Sequence, residues 1–340
     1  MHKTISIQIF IYGIDVNFLL KKERKFLFLR DFYYISTMKY GYACINTELA
    51  KQNISTNRTL RRKTLAEQGL GYYENLVIQN LLDLKKILEW NESHDIRFFR
   101  ISADLFTHRD QINIKRLPSY NNIILPLLKA NGNYILEHNH RVSIHADHFT
   151  ILASQNRDVV NNSIRDLEFF GEVFDLMGLP RTHEYKINVH VGTHKPTKEE
   201  AGWRFYKQLD KINAGALSRL TVENDDNLNG FAVIDLYNHV YKHFKVPIVF
   251  DYHHHMLNPG GLSEEQALRL SLSTWPTGIT PVTHYSSSKK LYEDNSSRDI
   301  AHADYIHNKV QTYGLDFDIM FEAKMKEQSI LRYQNSSLSI

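Results

Sequence analysis

Six short apolar runs in this chain, residues 142–145, 187–190, 220–223, 248–251, 281–284 and 319–322, each end in a histidine or a carboxylate: His145, His190, Glu223, Asp251, His284 and Glu322. Runs this short and this rich in β-branched and aromatic residues read as strands buried on both faces. The steps between successive end residues are 45, 33, 28, 33 and 38, the size of one βα unit when about 250 residues are shared among eight. The pattern predicts an α/β fold of the (β/α)8 or TIM barrel type. Strands are expected at 39–44 and 97–102 as well, and helices at 74–94, 123–136, 158–177, 198–212 and 231–244, with a capping box at Ser263 and Gln266.

In such a barrel the carboxyl ends of the strands meet on one face, so residues far apart in sequence converge there. Three carboxylates and three imidazoles in one pocket repel or stay partly protonated unless cations neutralise them, which points to two or more divalent metals. Each residue alone reads more readily as a core histidine or a helix cap. Six strand ends in register do not. His254 and His302 sit in loops nearby and are candidates for a third metal position. Clustered divalent ions lower the pKa of water and stabilise both oxygens of an in-line displacement at phosphorus.

Composition narrows the class without deciding it. With 42% hydrophobic and 23% charged residues the chain is an ordinary globular protein, neither disordered nor membrane-like. A single cysteine, Cys44, excludes an intrachain disulfide framework, and the expected setting is cytoplasmic. The net charge of +3 permits a basic face for phosphate. Residues 1–37 read as an appended segment: the apolar stretch 5–20 is broken by Asp15 and Asn17 and is too short to span a bilayer comfortably. The barrel is expected over 38–331, with a peripheral tail at 332–340. In the loop after the first strand, Asn46 and the run Ser55-Thr56-Asn57-Arg58-Thr59 are small polar groups with one arginine, suited to phosphate oxygens.

Several motifs together resemble the UV damage endonucleases, a DNA-repair family in the same barrel superfamily as the endonuclease IV type of apurinic endonuclease. The carriers are Gly41-Tyr42-Ala43-Cys44-Ile45-Asn46, Thr56-Asn57-Arg58-Thr59-Leu60, Phe99-Arg100-Ile101-Ser102, the acidic run from Leu220 to Asp226, Asp251-Tyr252-His253-His254 and the run from Glu322 to Gln328. The resemblance implies metal-dependent incision of UV-damaged double-stranded DNA, and a monomer is expected. It implies that His145, His190, Glu223, Asp251, His254, His284, His302 and Glu322 hold two or three divalent ions, typically manganese, with Glu223 bridging two of them. Glu223, Glu322 and His108 would be catalytic, His108 lying near the scissile phosphate, and Asn46, Asn57 and Arg58 would contact DNA. Three positions depart from the family. His148 and Phe149 stand where it has a glutamine and an aromatic probe, Val282 replaces a lysine two residues before the strand-seven histidine, and Gly192-Thr193 replaces Gly-Gly. Phe149 retains a wedge able to unstack a damaged step. Two rival readings are a two-metal sugar isomerase of the same superfamily, disfavoured by the polar first loop, and a lesion-binding protein that has lost catalysis.

Overall fold

Eight parallel strands close into a barrel in the order β1 to β8, each hydrogen-bonded to its sequence neighbours and β8 to β1, in a computed structural model that describes residues 38–336. The strands are β1 Tyr40–Ala43, β2 Phe98–Ile101, β3 Arg141–His145, β4 Ile187–Val189, β5 Leu220–Glu223, β6 Ile248–Asp251, β7 Val282–Tyr285 and β8 Asp318–Phe321. All eight expected strands are present, each within three residues of its expected bounds. The appended segment 1–37 lies outside the described residues, as do residues 337–340. No helix among the described residues is long and apolar enough to cross a membrane.

Helices α1 Arg62–Ser93, α2 Leu125–Glu137, α3 Arg157–Leu176, α4 Lys198–Leu209, α5 Val233–Leu236, α6 Glu264–Leu272 and α7 Lys326–Gln334 surround the sheet. The first starts twelve residues before its expected bound of 74, across a break at Gly69, whose φ of +74° only glycine adopts without strain. The capping box at Ser263 and Gln266 is formed. The last helix runs past 331 and buries Tyr333 edge-on against Tyr40 and Phe321, so these tail residues help close the barrel.

Because side chains alternate across a strand, the end residues fix what lies beneath them inside the barrel. Under His145 come Ser143 and Arg141, under His190 Asn188 and Lys186, under His284 Val282, and under Glu322 Met320 and Asp318. Val249, Val282, Met320, Phe98 and Ala43 pack into one apolar cluster. Close packing here is strict: a Cβ on Gly41 would fall 2.6 Å from the Phe98 ring across the β1–β2 pair. At the floor, Arg141 donates to Asp318 at 2.9 Å, both side chains almost wholly buried, and the Lys39 backbone N–H donates to the same carboxylate at 2.8 Å.

Candidate metal centre and flanking loops

The carboxyl ends of β3, β4 and β5 bring ligand atoms of His145, His190 and Glu223 within 4.8 Å of one another, and those of β5 to β8 do the same for Glu223, Asp251, His284 and Glu322. Glu223 belongs to both groups. It is 1% exposed, with Oε2 3.1 Å from Nε2 of His145 and 2.9 Å from Nδ1 of His284, while Asn188 donates to the same oxygen. Burial would raise this carboxyl, but the imidazoles of His284 and His145 hold it well below the usual carboxylate range.

Asp251 shows how the local fold makes a site. The strand ends at this residue and the following helix, Tyr252–Leu257, begins with its side chain as cap: Oδ1 accepts from the His254 backbone N–H at 2.7 Å. The other oxygen, Oδ2, is buried without any hydrogen-bond partner. Burial first, then the neighbouring Glu223 and Glu322 charges, push this carboxyl up to about 7. An orphaned buried carboxylate oxygen facing two more acids is what a cation would satisfy. The residues therefore fit divalent ions.

The cap also turns the chain so that His254 comes back over the cluster. Its Nδ1 lies 2.8 Å from the Asn224 carbonyl, 3.4 Å from Oε1 of Glu223 and 3.9 Å from Oδ1 of Asp251. Burial would lower this imidazole, but the Asp251 and Glu223 charges raise it to about 10. Burial lowers His284 to about 3 and His302 to about 4. His302 falls in neither group. Its ring lies 5.2 Å from that of His253, and both have a buried ring nitrogen without a partner, Nδ1 of His302 and Nε2 of His253.

Several contributors were not singled out from the sequence. Asp225 lies 2.7 Å from Nδ1 of His190 and, against burial, raises that imidazole. Arg100 reaches up from β2 to pair with Glu322 and contacts His284. Lys186 is 1% exposed and places Nζ 3.2 Å from Nε2 of His284. Burial, with Arg100 and Arg141 adding to it, depresses its ammonium well below the ordinary lysine range. The barrel interior thus contains a lysine beside His284 although position 282 on β7 is valine. The inward alternation from His190 was the signal for Asn188 and Lys186. Which partner each reaches across the barrel was not readable.

The residues expected to meet DNA divide into two sets. Asn46 is buried, caps the short helix Thr47–Ala50 and donates to the Tyr42 hydroxyl at 3.0 Å. Asn57 bonds Ser55, and Arg58 pairs with Asp83 at 2.6 Å while donating to the Ser55 and Asn53 carbonyls. These three side chains therefore brace the first loop itself. By contrast Phe149 is 73% exposed beyond the end of β3, with the His148 ring 3.8 Å from its own. His108, at a φ of +53°, hydrogen-bonds the Leu60 carbonyl at 2.8 Å and shares a cavity with Phe149 apart from the acidic cluster.

Known proteins resemble this chain over most of its length. A UV-damage endonuclease of Schizosaccharomyces pombe is 32% identical over 86% of this chain, which spans about half, 49%, of that relative's length. A UV DNA damage endonuclease of Bacillus cereus (strain Q1) is 30% identical over 89% of this chain and 95% of its own. The crystal structure of SacUVDE superposes with a TM-score of 0.75 at 29% identity, covering 88% of this chain and 99% of that one. The family model described as UV-endonuclease UvdE matches residues 38–339, a span that includes all eight strands and their polar ends, and the chain belongs to that family.

Proposed function

We propose that the protein incises duplex DNA immediately 5′ to UV photoproducts, leaving a 3′-hydroxyl, in a reaction that needs divalent metal, manganese in the first instance. The observation that supports this most directly is the convergence of Glu223, Asp251 and Glu322 on one buried face with Oδ2 of Asp251 unpartnered. Membership of the UV-endonuclease family supplies the substrate class. His145, His190 and Glu223 would hold one ion and Glu223, Asp251, His284 and Glu322 a second, Glu223 being common to both sets. His254 and His302 would supply imidazoles for a third.

Bound divalent ions supply Lewis-acid stabilisation of phosphate oxygens and a water acidic enough to attack at neutral pH. The chain does the rest. Glu223, kept ionised by its imidazoles, orients the ligand set from the centre, Arg100 fixes Glu322, and Asp225 fixes the ring of His190. Phe149 enters the distorted step, where a lesion has already weakened stacking, so selection rests on ease of deformation rather than on a base pattern.

A nicking assay tests the reading: a labelled duplex with one defined photoproduct beside undamaged and abasic duplexes, with manganese, with chelator, and with Glu223→Ala. Incision 5′ to the photoproduct, dependent on metal and on Glu223, is expected. Cutting of the abasic duplex alone would transfer the protein to apurinic chemistry, and metal binding without cutting of any duplex would overturn the reading.

A further inference from the structure

Of the run from Glu322 to Gln328, only Glu322 belongs to the acidic cluster. Lys326, further along, begins α7 with a φ of +49°. A left-handed backbone strains a lysine, and it persists where the surroundings over-determine it, most often at functional sites. Both flanks of this turn are tied down. The carboxylate of Glu327, wholly buried, accepts from the N–H groups of Thr47 at 2.8 Å and Glu48 at 3.0 Å and from the Thr47 hydroxyl. The N–H groups of Lys324 and Met325 donate to the carbonyls of Ala303 and Asp304, each at 3.0 Å. The start of α7 is thereby fixed to the loop after β1 and to the loop after β7. Cys44, at the end of β1, is strained as well: its φ is +69°, and the Ile45 N–H donates to the Ala43 carbonyl at 2.8 Å, as in the rarer γ-turn.

The half-buried Lys326 ammonium makes no hydrogen bond or ion pair among the described residues. Burial lowers it, and the groups acting on it are Cys44, Arg100, Glu322 and Lys324. Arg100 and Glu322 already satisfy each other. Lys326 is therefore a cation without a counter-charge, held beside the face where three carboxylates converge. We propose that Lys326 is a catalytic residue of the incision, its ammonium donating to a non-bridging oxygen of the scissile phosphate 5′ to the photoproduct; the proposal rests on the photoproduct reading above. The carboxylates repel phosphate oxygens, and the one arginine among them is taken by Glu322. An ammonium beside that pair attracts the phosphate toward β8. Negative charge grows on the non-bridging oxygens as the attacking oxygen bonds to phosphorus, and a donor already in place stabilises it without reorganising. The strained, doubly anchored backbone serves that end by fixing where the side chain leaves the chain.

Two variants test this. Lys326→Met removes the ammonium and keeps most of the side chain, and Lys326→Gly removes it while relieving the left-handed backbone, so folding is retained in the second whatever happens in the first. Single-turnover incision of a photoproduct duplex should fall by about a hundredfold in both, with bound manganese, read by elemental analysis, at the parent's level. Lys326→Arg should recover part of the rate. Sulfur placed at either non-bridging oxygen of the scissile phosphate supplies the readout that a structural role would not move. In the parent one diastereomer reports the lysine contact, and in Lys326→Met its sulfur effect should shrink by about tenfold, because the contact is already gone. Incision at the parent's rate in both variants, sulfur effects unchanged for both diastereomers, or loss of manganese would overturn the proposal. A parent protein that takes up metal and cuts no photoproduct duplex would instead overturn the functional reading, and this proposal with it.

Discussion

The two ends of the barrel interior bury charge in opposite ways. At the floor charge meets its opposite: buried Arg141 pairs with Asp318 at 2.9 Å and lies 3.6 Å from Glu184. At the mouth Glu223, Asp251 and Glu322 face one another, and Arg100 is the fixed cation paired among them. Lys186 is buried beside His284, and burial together with Arg100 and Arg141 depresses its ammonium well below the ordinary lysine range. The floor is electrostatically closed. The mouth has an acid in excess, visible as the raised Asp251 carboxyl and its unpartnered oxygen. A folded chain tolerates that excess where cations from outside complete it, so the difference separates charge used for architecture from charge kept for chemistry.

The contrast can be broken at the mouth first. Glu223→Gln removes the carboxylate common to both ligand groups, and incision should fall by about a thousandfold or more with loss of bound metal, read by single-turnover nicking and by metal analysis. A variant that kept its metal and its rate would end the assignment. At the floor, Asp318→Asn leaves buried Arg141 with only the longer 3.6 Å contact to Glu184 and should cost about 3 kcal/mol in chemical denaturation. Metal content and rate per folded molecule should stay at the parent's level, and a fall in metal content would show that the two ends are coupled.

Phe149→Ala should weaken discrimination between photoproduct and undamaged duplex by about tenfold to a hundredfold, since unstacking then gains no apolar filler. Unchanged discrimination would locate recognition elsewhere. The smallest effect is in pH. In the metal-free protein Asp251 titrates near 7 and His254 near 10, so both carry protons below those values and must release them for ions to bind. Metal affinity should therefore rise with pH, by about tenfold per unit for each proton released. Calorimetry at pH 6.5 in buffers of different ionisation heat measures those protons, and identical heats would count against the ligand set.

Much of this was legible because strand ends are where the linear pattern and the three-dimensional site coincide: one polar residue terminates each apolar run, and the barrel brings those termini together. The interior below them was less so. Lys186 and Arg100 sit inside strands where periodicity gives their direction, but the partner of each comes from a strand distant in sequence, at His284 and Glu322. The first loop was legible in composition and not in use. Asp83, 25 residues beyond Arg58, claims the guanidinium, and no local pattern announces a pairing at that distance. Asp251 could be read as a ligand or as a helix cap; one oxygen caps the helix, and the other lies buried without a partner, where the proposed ligand role would use it.

That division of labour bears on how loss-of-function variants at Asp251 are to be interpreted. An alanine there would remove a helix start and the proposed metal contact in one step, so a dead enzyme would say nothing about which had failed. Asparagine keeps an oxygen for the His254 amide, because it caps a helix about as well as aspartate, and alters only the atom that faces the pocket. The pair of variants turns one ambiguous phenotype into two separate readings, one of folding and one of chemistry.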